Sequence, residues 1–349
     1  KGSKDAFVET LRVNTGIIRR RIKNPNLVIE ETIVGKQSNT YVAIVYINGL
    51  TNKKIIAEVK KRIDAIDIDK VMSTNHIENY IVDNKYSIFP MVHYTEKPNV
   101  FCSSIIEGKI GIIIDGIPFT IITPVNFFSF FITSNDHSYN YLIISFFRFI
   151  SYICFLIALL LPGFFISITT FNAEMIPTTL AISIAATQSK VPFPIFIETV
   201  VMLFLFFILL LSAARLLKSI GNAVSVVGGL VLGEAAIAAN LVSPSVIVVV
   251  SLTVICSLAL ANTDLMMSVW VSQFLIVFLS SIAGLFGLTI GLLIILFHLS
   301  KIEILGVPYL SPVVANDYEQ MEDVLIKLPE SLIKRRPAYL KTTNTKRQQ

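Results

Sequence analysis

The sequence is poor in charged residues, in histidine and in cysteine. Only 15% of its 349 residues are Asp, Glu, Lys or Arg, whereas 54% are hydrophobic, and the mean hydropathy is +0.70. This balance is typical of integral membrane proteins. The three cysteines, Cys102, Cys154 and Cys256, lie far apart in the sequence. They offer neither the spacing of metal ligands nor a disulfide framework.

Sequence motifs of enzymes are also absent. The four histidines, at positions 76, 93, 137 and 298, have no acid or nucleophile at motif spacing. No glycine loop of the form Gly-x-x-x-x-Gly-Lys-Ser/Thr follows a strand, and no catalytic serine motif occurs. The sequence therefore predicts no catalytic residue, no cofactor site, no metal site and no enzymatic activity.

The chain carries a net charge of +5, with an isoelectric point of about 9.0. In a membrane protein with several spans, an excess of basic residues indicates which segments are cytoplasmic, because Lys and Arg stay on the cytoplasmic side. Basic residues in the N-terminal part and in the run Lys334–Arg336 therefore predict two cytoplasmic termini and an even number of spans. We expect no nucleic-acid partner.

The charges divide the chain into three parts. Residues 1–141 hold 17 of the 29 basic and 14 of the 24 acidic residues, whereas residues 142–300 hold four of each. This pattern predicts a soluble domain over 1–141, a transmembrane helical domain over 142–300 and a short charged cytoplasmic tail over 301–349. The chain begins at Lys1 without Met or a signal peptide, and we expect a further N-terminal portion.

Helix and strand patterns alternate in the soluble part. Apolar residues at helical spacing predict a helix within Phe7–Arg21, and Leu27–Val34 and Tyr41–Ile47 have the pattern of strands. A second amphipathic helix follows Thr51. Asp115-Gly116, flanked by apolar runs, is the strongest hairpin signal. These patterns predict an α/β domain that is followed by an all-α membrane domain.

The membrane part contains four to six predicted spans. A span needs about 20 apolar residues to cross a hydrocarbon core of about 30 Å. Met266–Ser300 is too long for one upright helix, and its glycines at 284, 287 and 291 indicate either a break or a tight packing face. The predicted segments are Phe149–Phe171, Ile195–Ala214, Asn222–Val242, Pro244–Asn262 and Met266–Ser300.

The segment Asn222–Val242 is the predicted pore lining or inter-subunit contact. Gly229-x-x-x-Gly233 permits close approach of two helices. Asn222 and Asn240 fall on the same face as these glycines, whereas Glu234 points about 100° away from Gly233. Glu234 either faces a polar cavity or lies near a helix end and reaches the headgroups.

Glu198 and Arg215 are the predicted intramembrane charges. Charged side chains in a bilayer face a partner or water, because their burial in hydrocarbon is costly.

Several blocks of the sequence resemble the A subunits of GerA-type spore germination receptors. Their order and spacing together carry the resemblance along almost the whole chain. The blocks include FVETLRVNTGIIRRRIKNPNL (7–27), EGKIGIIIDGIPFTIITPVNFF (107–128), LLPGFFISITTFNAEMIPTTL (160–180), IGNAVSVVGGLVLGEAA (220–236) and GVPYLSPVVANDYEQMEDVLIKLPESLIKRRPAYL (306–340).

The resemblance implies a nutrient germinant receptor subunit in the spore inner membrane, in contact with lipid. It implies a transporter-like B subunit and a lipoprotein C subunit as partners, and assembly of the A subunit into an ion-conducting homo-oligomer. Two alternatives remain open: a secondary transporter or export component, and an inactive structural paralogue. The resemblance also implies a further N-terminal subdomain, so we expect this chain to be a fragment or a truncated form.

The chain departs from the family pattern along one helix face. Leu203, Phe207 and Leu211 stand where family members usually carry acidic residues, and Trp270 stands where a basic residue is typical. Arg215 continues this face without its nearby acids. We therefore expect Arg215 either to reach the membrane interface or to pair with Glu198 or Glu234.

Overall fold

The chain forms two compact units. The computed structural model describes residues 4–132, 140–215, 228–229, 233–314, 327–329 and 335–347. The first unit, here called the sheet unit, comprises residues 1–150 and 298–349, and the second, the helical unit, comprises residues 151–297. The sheet unit therefore contains residues from both ends of the chain.

An antiparallel sheet forms the centre of the sheet unit. In the described part of the chain its strands are β1 (Leu27–Val34), β2 (Thr40–Ile47), β3 (His93–Thr95), β4 (Ile110–Ile114) and β5 (Thr120–Thr123). Their order is β1-β2-β4-β5-β3. The predicted hairpin at Asp115-Gly116 is confirmed, since β4 pairs with β5 and Gly116 has a φ of 82°. A positive φ favours glycine, because a Cβ would be strained there.

Helices cover the sheet and complete its core. They are α1 (Leu11–Arg21), α2 (Lys53–Asp64), α3 (Thr74–Ile81) and α4 (Pro98–Glu107). Ile18 of α1 and Phe101 of α4 pack with Val45 and Ile113 of the sheet in one apolar cluster. The prediction of an α/β domain is confirmed.

The first helix begins at Leu11, later than the predicted Phe7. The backbone N–H of Leu11 donates to Asp115 Oδ1 at 2.9 Å. A helix leaves its first N–H groups without partners inside the helix. The carboxylate of the distant hairpin therefore sets the start of α1, which the local sequence pattern does not show.

Residues 335–347 lie against α4 and the turn that follows β2. The N–H of Thr343 donates to the carbonyl of Leu50 at 3.0 Å, and Arg336 Nε donates to the carbonyl of Ile106 at 3.3 Å. Burial of Lys109 opposes its charged form, but neighbouring Tyr339 and Glu107 outweigh this effect and raise the pKa of its ammonium. The C-terminal residues thus complete the environment of a buried cation.

The helical unit is built from long apolar helices. Those of the described chain that lie wholly or partly in it are α5 (Tyr141–Thr170), α6 (Thr178–Gln188), α7 (Ile195–Arg215), α8 (Pro244–Leu258) and α9 (Thr263–Lys301). By length and composition, three helices of the described residues can cross a membrane: Tyr141–Thr170, Ile195–Ala213 and Thr263–Lys301. Helix α8 is apolar but has only 15 residues. The count of four to six spans stays a prediction, because residues 222–227 and 230–232 of the segment 222–242 lie outside the described residues.

Helix α9 is a tight hairpin of two helical segments. Ala283 (φ −127°, ψ 15°) and Gly284 (φ 59°, ψ −137°) interrupt it. A Cβ at Gly287 would lie 1.9 Å from the Leu279 carbonyl oxygen, and one at Gly291 would lie 3.4 Å from Ile276 Cα. In a straight helix these pairs would be about 12 Å and about 22 Å apart. The second segment therefore runs back along the first.

Candidate functional site in the helical unit

Glu198 joins three helices of the helical unit. Its side chain is 1% exposed, in the first turn of α7. One carboxylate oxygen, Oε2, accepts the backbone N–H of Ser243 at 2.7 Å, and the other accepts Gln188 Nε2. Ser243 is the N-cap of α8, and Gln188 is the last residue of α6. The carboxylate thus links the end of α6 to the starts of α7 and α8.

The position of Glu198 explains how a buried carboxylate is accommodated there. A buried charge is costly unless hydrogen bonds compensate for its lost hydration. The start of α8 provides a free backbone N–H and the positive end of a helix dipole, both of which favour an anion. In the part of the chain that the structure describes, Glu198 forms no ion pair. Its anchorage therefore depends on neutral donors.

Arg215 lies at the other end of α7 and is exposed. Seventeen residues separate it from Glu198, which corresponds to about 25 Å along one helix. From the sequence we expected Glu198 to be one of two acids with which Arg215 could pair. At this separation the two side chains of one chain do not meet, so this prediction is wrong. Among the described residues Arg215 forms no ion pair.

The described part of the glycine-rich segment 222–242 approaches α7 at its start only. A Cβ at Gly228 would lie 2.8 Å from Leu209 Cδ1, and one at Gly229 would lie 3.8 Å from Phe206 Cε1. Among the described residues nothing would lie within 4 Å of a Cβ at Gly233, and the adjacent Glu234 is exposed. One glycine of the predicted pair thus faces α7, and the other faces open space. Asn222 lies outside the described residues.

Asn240 ends the helical turn 233–238 through its backbone. It adopts a φ of 51°, its N–H donates to the carbonyl of Ile237, and the N–H of Leu241 donates to that of Ala236. These are the hydrogen bonds of an α-helix whose C-terminus ends in a residue with left-handed φ and ψ angles. Glycine is the usual residue there, and Asn also occurs. Asn240 therefore has a local structural role, while its role in a pore stays a prediction.

Two departures from the family pattern contact each other. The rings of Phe207 and Trp270 lie 5.2 Å apart, and Trp270 Nε1 donates to Ser257 Oγ at 3.0 Å. Leu203 and Trp270 are buried in the same apolar cluster. Aromatic and aliphatic packing thus fills the positions at which the family resemblance leads us to expect an acid and a base.

The structure also brings together residues that the sequence kept apart. Cys154 in α5 and Cys256 in α8 are neighbours, and both thiols are free. Their separation of about one hundred positions gave no signal of this proximity. No group of three or more His, Cys, Asp or Glu side chains with metal-binding geometry occurs among the described residues.

Known proteins match this chain over nearly its whole length. The family described as Bacillus/Clostridium GerA spore germination protein matches residues 1–339. Spore germination protein KA of Bacillus subtilis (strain 168) is 36% identical over 348 residues, which cover 100% of this chain and 64% of that protein. Spore germination protein GerLA of Bacillus cereus is 33% identical over 345 residues, covering 99% and 70%.

One similar solved structure is that of the N-terminal domain of the A subunit of the Bacillus megaterium spore germinant receptor GerK3. It is 37% identical and covers 35% of this chain and 98% of that one, with a TM-score of 0.30. The chain spans slightly under two thirds of the length of the Bacillus subtilis KA protein. With a family match over 339 of its residues, the chain belongs to the GerA family of spore germination proteins.

Proposed function

We propose that this chain acts as the A subunit of a spore nutrient germinant receptor, which helps convert nutrient sensing into ion release. The observation that carries the proposal is the family match over residues 1–339 together with three helices long enough to cross a membrane. The partners are a transporter-like B subunit and a lipoprotein C subunit, as the family resemblance implies. The location is the spore inner membrane.

The A subunit conducts ions as a homo-oligomer in this proposal. The surface around Gly233 and Glu234 supports it, because the described part of one chain leaves both residues uncovered. A glycine without neighbours permits close approach of a helix from a second copy. An exposed carboxylate beside it is suited to a water-filled path, since intramembrane acids usually face water or a partner. Asn222 and Asn240 belong to the same proposed lining.

Flux through reconstituted vesicles tests the function. The chain is co-purified with its B- and C-type partners and inserted into potassium-loaded liposomes. A mixture of amino acids, sugars and nucleosides should then trigger potassium release, and vesicles without the A subunit are the control. An assembled complex that releases no potassium with any nutrient would instead indicate a structural subunit.

Assembly is tested separately with Gly233→Leu. We expect the variant to accumulate in the membrane as a folded chain but to lose its homo-oligomer on native gels, because the new side chain occupies the open surface. Ala235→Leu, on a different face of the same helical turn, is the matched control. Oligomers that persist in Gly233→Leu would contradict the assignment of this surface.

A further inference from the structure

The C-terminal residues of the sheet unit form a positively charged hairpin. Residues 335–347, here called the basic hairpin, contain five Lys or Arg side chains and no Asp or Glu. Arg335 pairs with Lys346 in an antiparallel bridge, and the N–H of Arg336 donates to the carbonyl of Thr345 at 2.9 Å. These backbone contacts bring the cations of both arms together.

Buried residues anchor the basic hairpin to the sheet unit. Leu340 is 1% exposed and Thr342 is 7% exposed. The 3₁₀ helix Ala338–Leu340 contacts the short strand Val307–Pro308, which pairs with Glu303–Ile304. The basic hairpin is thus part of the folded sheet unit, and its cations have fixed positions on the surface of that unit.

Two lysines of α2 extend this positive surface. The N–H of Thr343 donates to the carbonyl of Leu50, and Lys53 and Lys54 follow three and four residues later. Both lysines are exposed in the first turn of α2, which contains no acidic residue. The start of a helix carries a partial positive charge, so cations are unfavourable there. A bound anion would offset this repulsion.

The acidic residues of the described chain leave this surface positive. Four of its lysines are exposed and form no ion pair among the described residues: Lys53, Lys54, Lys341 and Lys346. Burial, and then the charge of the nearby Arg347, lower the pKa of the Arg336 guanidinium. The second of these effects is repulsion between two cations. A surface of this kind attracts anions.

We propose that the basic hairpin and the start of α2 together bind the phosphate headgroups of anionic phospholipids. They supply five and two cations, and clusters of about four to eight Lys or Arg near a membrane segment are typical of anionic lipid binding. The sheet unit is continuous in the chain with α5 and α9, which are long enough to cross a membrane. The proposal depends neither on ion conduction nor on a nutrient.

Binding to separate vesicles tests this surface. The full chain in nanodiscs of phosphatidylcholine is mixed with vesicles of equal parts phosphatidylcholine and phosphatidylglycerol. We expect the nanodiscs to float with these vesicles and to dissociate as salt is added. Binding should weaken about fivefold for each cation removed. The variant removes the four exposed lysines: Lys53→Gln, Lys54→Gln, Lys341→Gln and Lys346→Gln.

A matched control removes the same amount of charge elsewhere on the sheet unit. It replaces four other exposed cations: Arg12→Gln, Lys23→Gln, Lys61→Gln and Lys70→Gln. Equal weakening by both sets would show an effect of net charge alone and would overturn the proposal. Retention on poly-glutamate beads without binding to vesicles would indicate an acidic protein partner instead. Release by inorganic phosphate, beyond that by sodium chloride of equal ionic strength, would indicate a site for free phosphate.

A second measurement uses the bilayer that holds the chain. A fluorophore is attached to Thr345→Cys, at an exposed position, in a chain whose three native cysteines are changed to serine. Lipids with a nitroxide on the headgroup should quench it in nanodiscs that contain phosphatidylglycerol, and much less in phosphatidylcholine alone. Removal of the four lysines should abolish the difference. Equal quenching of the unmodified surface in both lipids would contradict recognition of the anionic headgroup.

Discussion

Glu198 illustrates how the helical unit holds a buried anion. The carboxylate lies at the start of α8 and accepts a backbone N–H and an amide N–H, while the more exposed Glu234 accepts no such bond among the described residues. The sequence predicts that the carboxylate of Glu198 needs a partner, and Arg215 was one residue expected to pair with it. The partner is instead the N-terminus of α8, whose partial positive charge comes from the backbone and is not visible in a sequence.

Removal of this carboxylate should destabilise the helical unit. Glu198→Ala leaves the buried N–H of Ser243 without an acceptor, which costs about 1–3 kcal/mol, whereas Gln188 Nε2 still donates to the carbonyl of Phe193. Glu198→Gln keeps one acceptor oxygen and should lose less. The measurement is the thermal midpoint of the detergent-solubilised protein. Glu234→Ala is the control, and an unchanged midpoint in Glu198→Ala would contradict the role of this carboxylate.

Phe207 and Trp270 differ from the residues that the family resemblance leads us to expect. In the sequence they are two separate positions at which a charged residue is replaced by an aromatic one, and an altered or inactive protein was one expectation from this. In the structure they contact each other, and Leu203 packs in the same cluster. The pairing of two distant positions depends on the tertiary fold, so a single sequence offers no signal for it. Leu203 and Phe207 of the altered face are therefore packed against neighbours, whereas Leu211 is exposed.

At the scale of elements, the α9 hairpin combines a break with a close packing face. The sequence left these two explanations open for three glycines. Gly284 makes the break, since its φ of 59° and ψ of −137° are almost restricted to glycine. Gly287 and Gly291 form the packing face. Composition predicted that something interrupts Met266–Ser300, but only the dihedral angles show that the chain reverses.

A single methyl group should disturb this hairpin. The Cβ of Gly287→Ala would lie 1.9 Å from a backbone oxygen, which cannot rotate away as a side chain can. The two segments must separate, at a cost of about 1–3 kcal/mol or more. Membrane accumulation and the thermal midpoint of the purified protein report the loss. Gly16→Ala in α1, whose new Cβ would have nothing within 4 Å, should be as stable as the unmodified chain. Equal behaviour of the two variants would contradict the hairpin.

Strands were predicted where the pattern was long. Leu27–Val34 agrees at both ends, and the second strand begins one residue before the predicted Tyr41. The third strand, His93–Thr95, has three residues, and sequence analysis missed it. Three residues are too few to show alternation, and pairing with the residues of β5 creates this strand. Long-range pairing is what local patterns cannot report.

At the scale of the whole molecule, the sheet unit contains residues from both ends of the chain. Residues 4–132 and residues 302–311 share one core, and a compact polar unit cannot lie on both sides of a bilayer. We therefore predict an even number of membrane crossings between them, as the basic residues at both ends also do. In this prediction, the reversal within α9 returns the chain to the side from which it entered.

Labelling from one side of the membrane tests this topology. Single cysteines replace exposed Tyr86 and exposed Val314 in a chain whose three native cysteines are changed to serine. A membrane-impermeant maleimide should label both positions from the same side of oriented vesicles and neither from the other. Labelling of the two positions from opposite sides would show an odd number of crossings between them.

The division into soluble, membrane and tail parts was predicted from the distribution of charge alone. Which of these parts lies in the bilayer stays a prediction. Charge could not show that the tail folds into the N-terminal sheet, because the contacts of Leu305 and Tyr309 are made by backbone groups and by one buried phenol. Such contacts leave no pattern in hydropathy.

The burial of residues 302–311 also affects how the protein is made. A ribosome releases residues 4–132 long before it releases Tyr309, and domains generally fold as they emerge. Here the core of the sheet lacks the side chains of residues 302–311 until helices α5 to α9 have been synthesised. The sheet unit can reach its final packing only after translation has passed α9. A chain whose apolar helices fail to fold would therefore keep an incomplete sheet core and stay open to proteolysis.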